Sequence, residues 1–279
     1  MVPGTSGRRG SLTVVGTGFM IAGQVTAEAR TAMEQADRLL HLVSDAATRS
    51  WLEGLNPRNE SLYDSYGEGR PRLDSYEEMV ERMLEPVRAG HSVCVALYGH
   101  PGVFVLPSHE AIRRARAAGH AARMLPGVSA EDCLFADLEL DPTIRGIRSY
   151  EATDFLVRRR PVDPTTGLIL WQVGAIGVPT YYRRNVWRTE GLRPLADVLG
   201  AHYPADHRVI LYTAATLPVA GPEIHRLPLG LLGAPPAEVE VSVAATLYVP
   251  PAARAELDPS VAGRPGAPEP PSTEREPGC

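Results

Sequence analysis

The chain has 279 residues, 44% hydrophobic and 22% charged, which is ordinary for a globular protein and enough for one large domain or two modest ones. Its net charge of -5 carries no basic block, which disfavours a phosphate-backbone binder, and it contains no lysine, which excludes Schiff-base chemistry, pyridoxal phosphate attachment and a Walker-type phosphate loop. The cysteines, Cys94, Cys133 and Cys279, are odd in number and outside any CxxC, so no disulfide framework or zinc knot is expected, and Cys94 and Cys133 read as small buried hydrophobes.

In chain order, the opening MVPGTSGRRG has no apolar signal region and no run reaches transmembrane length, so a cytoplasmic protein is expected. SLTVVGTG (11–18) reads as a strand closed by glycines. Helical periodicity follows over 25–40, and LLHLVS reads as the next strand. SYEEMVERMLEPVRAG (75–90) predicts a helix opened by a capping box of Ser75 and Glu78 and ended by glycine. HSVCVALYG (91–99) is a strand and SHEAIRRARAAG (108–119) a helix. This alternation predicts a mostly parallel sheet with helices on both faces. SAEDCLFADL (129–138) predicts a short helix with Ser129 and Asp132 as its cap pair. The apolar runs 167–174, 208–214 and 242–251, with a helix near 191–201, predict a second α/β layer. The expected division is 11–125, 126–251 and a disordered Pro/Gly-rich tail, 252–279.

VVGTGFMIAG (14–23) lacks the third glycine of a dinucleotide fingerprint, because Ile21 stands where it is needed. YGHPGVF (98–104) sits beyond the carboxyl end of a strand, where open α/β sheets bind ligands. Gly99 and Gly102 permit close backbone approach, Tyr98 and Phe104 offer flat apolar faces, and His100 offers one donor or acceptor. A plain tight turn with a hydrogen-bonded histidine explains the stretch equally well. LPGVSAEDCLFAD (125–137) adds a second Pro-Gly loop, leading to a helix N-terminus whose free amides suit a carboxylate or carbonyl ligand. The scattered histidines have no metal-ligand spacing, and FLVRRRP (155–161) reads as a solvated face that could also steer an acidic leader peptide.

LTVVGTG, LYGHPGVF, MLPGVSAEDCLFADL, LILWQVG and ATLYVPP, in that order and spacing, resemble the tetrapyrrole-methylase superfamily. More closely they resemble its borosin branch, the peptide backbone α-N-methyltransferases of the omphalotin type. The similarity runs from about residue 11 to 251. It implies an S-adenosylmethionine-dependent methyltransferase of two α/β domains, with the cofactor in the cleft between them, acting as a homodimer on a precursor peptide. By motif position, Tyr98, His100, Val103 and Phe104 would line the cofactor pocket, and Ser129, Ala130, Gln172, Tyr212 and Thr246 would complete it.

LYDSYGEGRPRLDSYEEM (62–79) carries three tyrosines together with Arg72 in a turn-rich loop that runs into a helix. A surface loop with aromatics is the simpler account, but peptide-amide methylation needs groups of this kind. The amide lone pair is delocalised into the carbonyl, so the nitrogen attacks only if its proton is lost and the imidate oxygen is stabilised. A carboxylate is too weak a base; a tyrosinate, with a reference pKa of about 10, is stronger, and a nearby guanidinium favours it. The resemblance places the catalytic positions at Tyr63, Tyr66, Arg72 and Tyr76; the chemistry leads us to expect Tyr66 as base, Arg72 as the charge that keeps it ionisable, and Tyr63 and Tyr76 as partners of the peptide carbonyl. Methylation of a small metabolite such as a tetrapyrrole is the alternative, and a silent binding protein is another; the tyrosine and arginine loop argues against both. Fused borosins continue into a helical clasp and core peptide, whereas this chain stops 29 residues after Pro250 in a tail without an apolar run. A precursor supplied in trans is therefore expected.

Overall fold

The computed structural model describes residues 9–43, 45–181, 190–258 and 260. Most of the tail expected to be disordered, 261–279, lies outside the described residues, as does Cys279. The chain forms two compact units. The first comprises residues up to Cys133 with Pro179–Arg183 and Ala214–Gly221, and the second comprises Leu134–Val178, Arg184–Thr213 and Pro222 onward.

In the first unit, β1 (Ser11–Gly16), β2 (Arg38–Leu42), β3 (Asn59–Ser61), β4 (Ser92–Leu97) and β5 (Ala121–Met124) form one sheet in the order β3-β2-β4-β1-β5. Every pair in it is parallel, as the strand and helix alternation predicts. Alternate side chains of one strand serve two cores. Leu12, Val14, Val93 and Val95 pack with Met79 and Met83 of α3 (Arg72–Arg88) and Ala111 of α4 (Leu106–Ala117). Val15, Cys94 and Ala96 pack with Met33 of α1 (Ala27–Gln35) and Leu52 of α2 (Ala46–Leu55) on the opposite face. Cys94 is buried as expected, and that burial pushes its thiol up to about 12, so it is an inert hydrophobe rather than a nucleophile.

Three elements depart from the sequence pattern. The helix expected over 25–40 stops at Gln35, because Ala36 turns extended and Asp37 is tied to β4. Asp37 Oδ2 accepts from the N–H and Oγ–H of Ser92 at 2.8 and 2.7 Å, which seats β2 beside β4. Helix α2 follows an N-cap at Asp45, whose carboxylate accepts from the Thr48 N–H at 2.7 Å, a signal readable as a cap yet followed by only a short apolar stripe. The capping box expected at Ser75 and Glu78 does not form. Helix α3 begins one turn earlier, where the Arg72 N–H donates to the Pro179 carbonyl at 3.0 Å. Ser75 is consequently buried inside the helix, and Glu78 accepts from Arg70 at 2.6 Å. A tertiary acceptor has replaced the side-chain cap.

After α5 (Ala130–Asp137), which closes the first unit and begins the second, come α6 (Pro142–Arg145), β6 (Ile147–Glu151), α7 (Ala152–Val157), β7 (Gly167–Trp171), α8 (Leu192–Gly200), β8 (Arg208–Thr213), β9 (Glu223–Pro228) and β10 (Thr246–Val249). The second sheet runs β6-β7-β10-β8-β9, parallel between β6 and β7 and antiparallel elsewhere. Its core joins Leu170, Leu211 and Leu247 to Phe155 of α7 and Leu195 of α8. The arginines of FLVRRRP are not a free basic patch, since Arg158 and Arg160 both donate to Asp154, at 2.6 and 2.9 Å. Among the described residues no helix is long and apolar enough to cross a membrane.

One buried amide holds the α1–α2 side of the parallel sheet together. Asn56 donates from Nδ2 to the carbonyls of Met33 and Ala36, both at 2.9 Å, and accepts from the Arg58 N–H at 2.9 Å. Asn56→Ala removes the buried donor shared by the Met33 and Ala36 carbonyls, leaving Ala36 only the long contact from Arg58 Nη2 at 3.4 Å, and is expected to lower stability by about 1–3 kcal/mol. Urea denaturation of the two proteins measures this, and an unchanged midpoint would contradict it.

Candidate active site

The site grows from the carboxyl end of the first sheet. Strand β4 ends at Leu97 and turns sharply at Gly99, whose φ of +67° suits glycine. Gly99 bridges back to Gly18, its N–H donating to the Gly18 carbonyl at 2.8 Å. A Cβ on Gly16 would lie 2.3 Å from the Gly99 carbonyl oxygen, so the turn after β1 and the turn after β4 fit only as bare backbone. Beyond the turn, His100 Nδ1 accepts from the Gly102 N–H at 3.0 Å, which leaves the proton of the neutral ring on Nε2. His109 Nε2 lies 2.9 Å from the Gly102 carbonyl oxygen. A Cβ on Gly102 would first meet the Met124 sulfur at 2.7 Å, so this glycine makes room for the protein's own side chains.

Val103 and Phe104 of this loop and Leu106 at the start of α4 are exposed, and Phe104 is held at φ +56°, an uncommon conformation for a bulky residue. Exposed apolar faces of this kind fit a ligand with a flat heterocycle and a thioether-like chain, as S-adenosylmethionine has. The helix N-terminus at Ser129 is less available than the sequence suggests. Asp132 Oδ2 accepts from both the Ser129 N–H and its Oγ–H at 2.7 Å, so the cap pair forms as predicted and occupies that amide. Ala130 begins α5 directly after it. In the second unit, Gln172 follows β7 in the left-handed conformation, at φ +59°. Tyr212 and Thr246 are paired across β8 and β10, both buried, and the Tyr212 hydroxyl donates to Asp137 Oδ2 at 2.7 Å.

The loop before α3 collects the tyrosines. Tyr63 lies in a single turn of 3-10 helix after β3, Tyr66 follows that turn, and Tyr76 stands one turn into α3. Their rings meet edge to face, Tyr63 with Tyr66 at 5.6 Å and Tyr66 with Tyr76 at 6.4 Å between centroids. All three pack against the core beneath α3 and α4. Arg72 opens α3 and its Nε reaches the Thr180 carbonyl at 3.4 Å, a long contact that leaves the rest of the guanidinium to act as charge. Tyr98, placed by the resemblance with the cofactor residues, interacts electrostatically with Tyr66 as well, and its ring meets Phe19 edge to face at 6.3 Å. Much of the Tyr98 ring is exposed, yet crowding around its hydroxyl pushes the phenol up. The structure thus brings Tyr63, Tyr66, Arg72 and Tyr76 together, with Tyr98 as a link to the YGHPG turn.

One member has no motif to announce it. Tyr181 stacks on Tyr66, with centroids 4.4 Å apart and planes at 16°, and its hydroxyl lies 2.6 Å from that of Tyr63. It arrives there on a strip of backbone. The Gly69 N–H donates to the Tyr181 carbonyl at 2.8 Å, the Tyr181 N–H donates to the Arg70 carbonyl at 3.0 Å, and Pro71 bridges to Thr180. The paired tyrosines of PTYYRR were the available sequence signal, but nothing local ties them to a loop more than a hundred residues earlier.

Electrostatics in the cluster run against the simplest expectation. Burial raises the Tyr66 pKa well above the ordinary phenol value, the hydroxyls of Tyr76 and Tyr98 raise it further, and the Arg72 guanidinium, the smallest contribution, lowers it. Desolvation outweighs the cation, so Tyr66 rests as a neutral phenol and is a strong base only in the rare molecules that ionise.

Residues 11–230 match the family of tetrapyrrole (corrin/porphyrin) methylases. The chain belongs to that family. Among known proteins, this methylase chain is 44% identical over 253 residues to a methyltransferase/ribosomally synthesized cyclic peptide gymnopeptides precursor of Gymnopus fusipes, covering 90% of this chain and 60% of that protein. It is 42% identical over 254 residues to the corresponding omphalotin A precursor of Omphalotus olearius, covering 91% and 61%. The chain therefore spans about 60% of the length of these relatives. In fold it is similar to uroporphyrin-III C-methyltransferase of Thermus thermophilus, solved with S-adenyl homocysteine, with a TM-score of 0.58 and 18% identity over 86% of this chain and 92% of that one.

An ultraviolet titration tests the electrostatic order. The difference between the chain and its Tyr66→Phe variant isolates Tyr66, which is expected to ionise well above pH 10. Arg72→Leu removes the only lowering influence named above and is expected to move that titration higher still. A Tyr66 that ionises near 10, or falls when Arg72 is removed, contradicts the account.

Proposed function

We propose that this methylase transfers methyl groups from S-adenosylmethionine to backbone amide nitrogens of a ribosomally made precursor peptide, supplied in trans to a homodimeric enzyme. The observation that carries this reading is the desolvated cluster of Tyr63, Tyr66 and Tyr76 beside Arg72, a set suited to amide deprotonation. The printed names of the relatives, which join methyltransferase to cyclic peptide precursor, support the same substrate class. The likeness to the uroporphyrin enzyme concerns fold alone and supplies no argument for a tetrapyrrole substrate.

S-adenosylmethionine, when bound, supplies an electrophilic methyl group, and the SAH-bound fold relative supports it as cofactor. Tyr98, His100, Val103 and Phe104 are the first candidates to hold it, together with Ser129, Ala130 and Gln172; Tyr212 and Thr246, being buried, would act by supporting their neighbours. In the reaction, the phenolate of Tyr66 takes the amide proton. Its raised pKa makes it a better match for so weak an acid than an ordinary tyrosinate, at the cost of being scarce near neutrality. Arg72 favours that ionised form and faces the charge that leaves Tyr66 as the proton arrives. Hydroxyls of Tyr63 and Tyr76 donate to the peptide oxygen as negative charge accumulates on it.

Below the pKa of Tyr66, each unit of pH multiplies the phenolate fraction about tenfold. Turnover of a peptide substrate, followed by mass spectrometry, is therefore expected to climb with pH from 7 to 10 without a neutral plateau. Tyr66→Phe and Arg72→Ala are each expected to lose about 100-fold or more in turnover. Calorimetric affinity for S-adenosylhomocysteine should stay close to that of the parent. Full activity in Tyr66→Phe would place the base elsewhere.

A further inference from the structure

We propose that Tyr181 is a positioning residue for this site, its ring fixing Tyr66 and its hydroxyl fixing Tyr63. The proposal rests on the methyl-transfer reading above and adds to it a residue outside the tyrosine and arginine loop. Three observations converge on it. The ring lies nearly parallel to Tyr66 at 4.4 Å, so it covers one face of that phenol and excludes water from it. Its hydroxyl meets that of Tyr63 at 2.6 Å. Its backbone is clamped on both sides, through the Gly69 N–H and the Arg70 carbonyl, so the side chain starts from a fixed Cα while the stack and the hydroxyl contact hold its rotamer.

The two contacts have separable consequences. Stacking contributes to the desolvation that makes Tyr66 a reluctant acid and, once ionised, a strong base. The groups facing Tyr66 are Tyr63 from the turn after β3, Arg72 and Tyr76 from α3, Tyr98 from the end of β4, and Tyr181 itself. Among the described residues in ring contact with Tyr66, Tyr181 alone is stacked face to face; Tyr63 and Tyr76 present edges. The hydroxyl contact does something else. A Tyr63 oxygen that accepts from Tyr181 has its own proton free for the peptide oxygen, so the pair orders the donors before the substrate arrives.

Tyr181→Leu and Tyr181→Phe divide the two roles, and ultraviolet difference titration against the matching Tyr66→Phe double variants reads Tyr66 without peptide or cofactor. Tyr181→Leu is expected to ease Tyr66 ionisation by about tenfold, a shift of about one pH unit downward, and to cut turnover about 100-fold. Tyr181→Phe keeps the stack, so Tyr66 should titrate as in the parent, while turnover falls several-fold through the loss of the Tyr63 contact. Should Tyr181→Leu fail to fold, Tyr181→His, with a smaller and better hydrated ring, takes its place with the same direction expected. A folded Leu or His variant whose Tyr66 titrates as in the parent overturns the stacking role, and parental turnover in Tyr181→Phe overturns the hydroxyl role. Absence of peptide methylation by the parent chain overturns the reading beneath, and leaves the titration as a separate result.

Discussion

A strip of backbone pairing, Gly69–Arg72 against Pro179–Tyr181, sets the geometry on which the site depends. It provides the Pro179 carbonyl that starts α3, and so decides which residues face inward from that helix. Ser75 turns into the core, Tyr76 turns toward Tyr66, and Arg72 sits at the first turn, where its charge reaches the phenols. The same strip delivers Tyr181. Main-chain hydrogen bonds suit this task because they define position with less rotamer freedom than a contact between side chains.

The tyrosine cluster then shows how desolvation and charge compete. A lone guanidinium beside a phenol lowers its pKa in water, but here the phenol is buried among other phenols and the apolar core under α3. Burial dominates. Such an environment costs stability unless every hydroxyl finds a partner, which explains why the tyrosines bond to one another. It also couples their protons, so changes at one position will be felt at the others.

The turns that carry the exposed apolar loop obey a different constraint. A Cβ on Gly16 would strike the Gly99 carbonyl, and Gly99 itself is held at a positive φ that suits glycine. These glycines serve contact within the protein, while Val103 and Phe104 of the same stretch are exposed. A glycine-rich motif can thus be a packing requirement first and a feature of a binding loop second.

The sequence by itself determined the α/β class, the parallel first sheet and the main helices, because periodicity, strand-ending glycines and the Ser129–Asp132 cap are local properties of the chain. It also marked Tyr63, Tyr66, Arg72 and Tyr76, through the resemblance of their loop to the borosin motif. Tertiary structure decided what those marks could not. Helix α1 ends early because Asp37 is needed by Ser92, 55 positions away, and α3 begins early because Pro179 supplies an acceptor. Tyr181 joins the cluster across 118 positions, and the pKa of Tyr66 rises rather than falls because burial is a property of the assembled fold. Local preferences are written residue by residue, whereas a shared hydrogen bond or a desolvated hydroxyl exists only after distant segments have met.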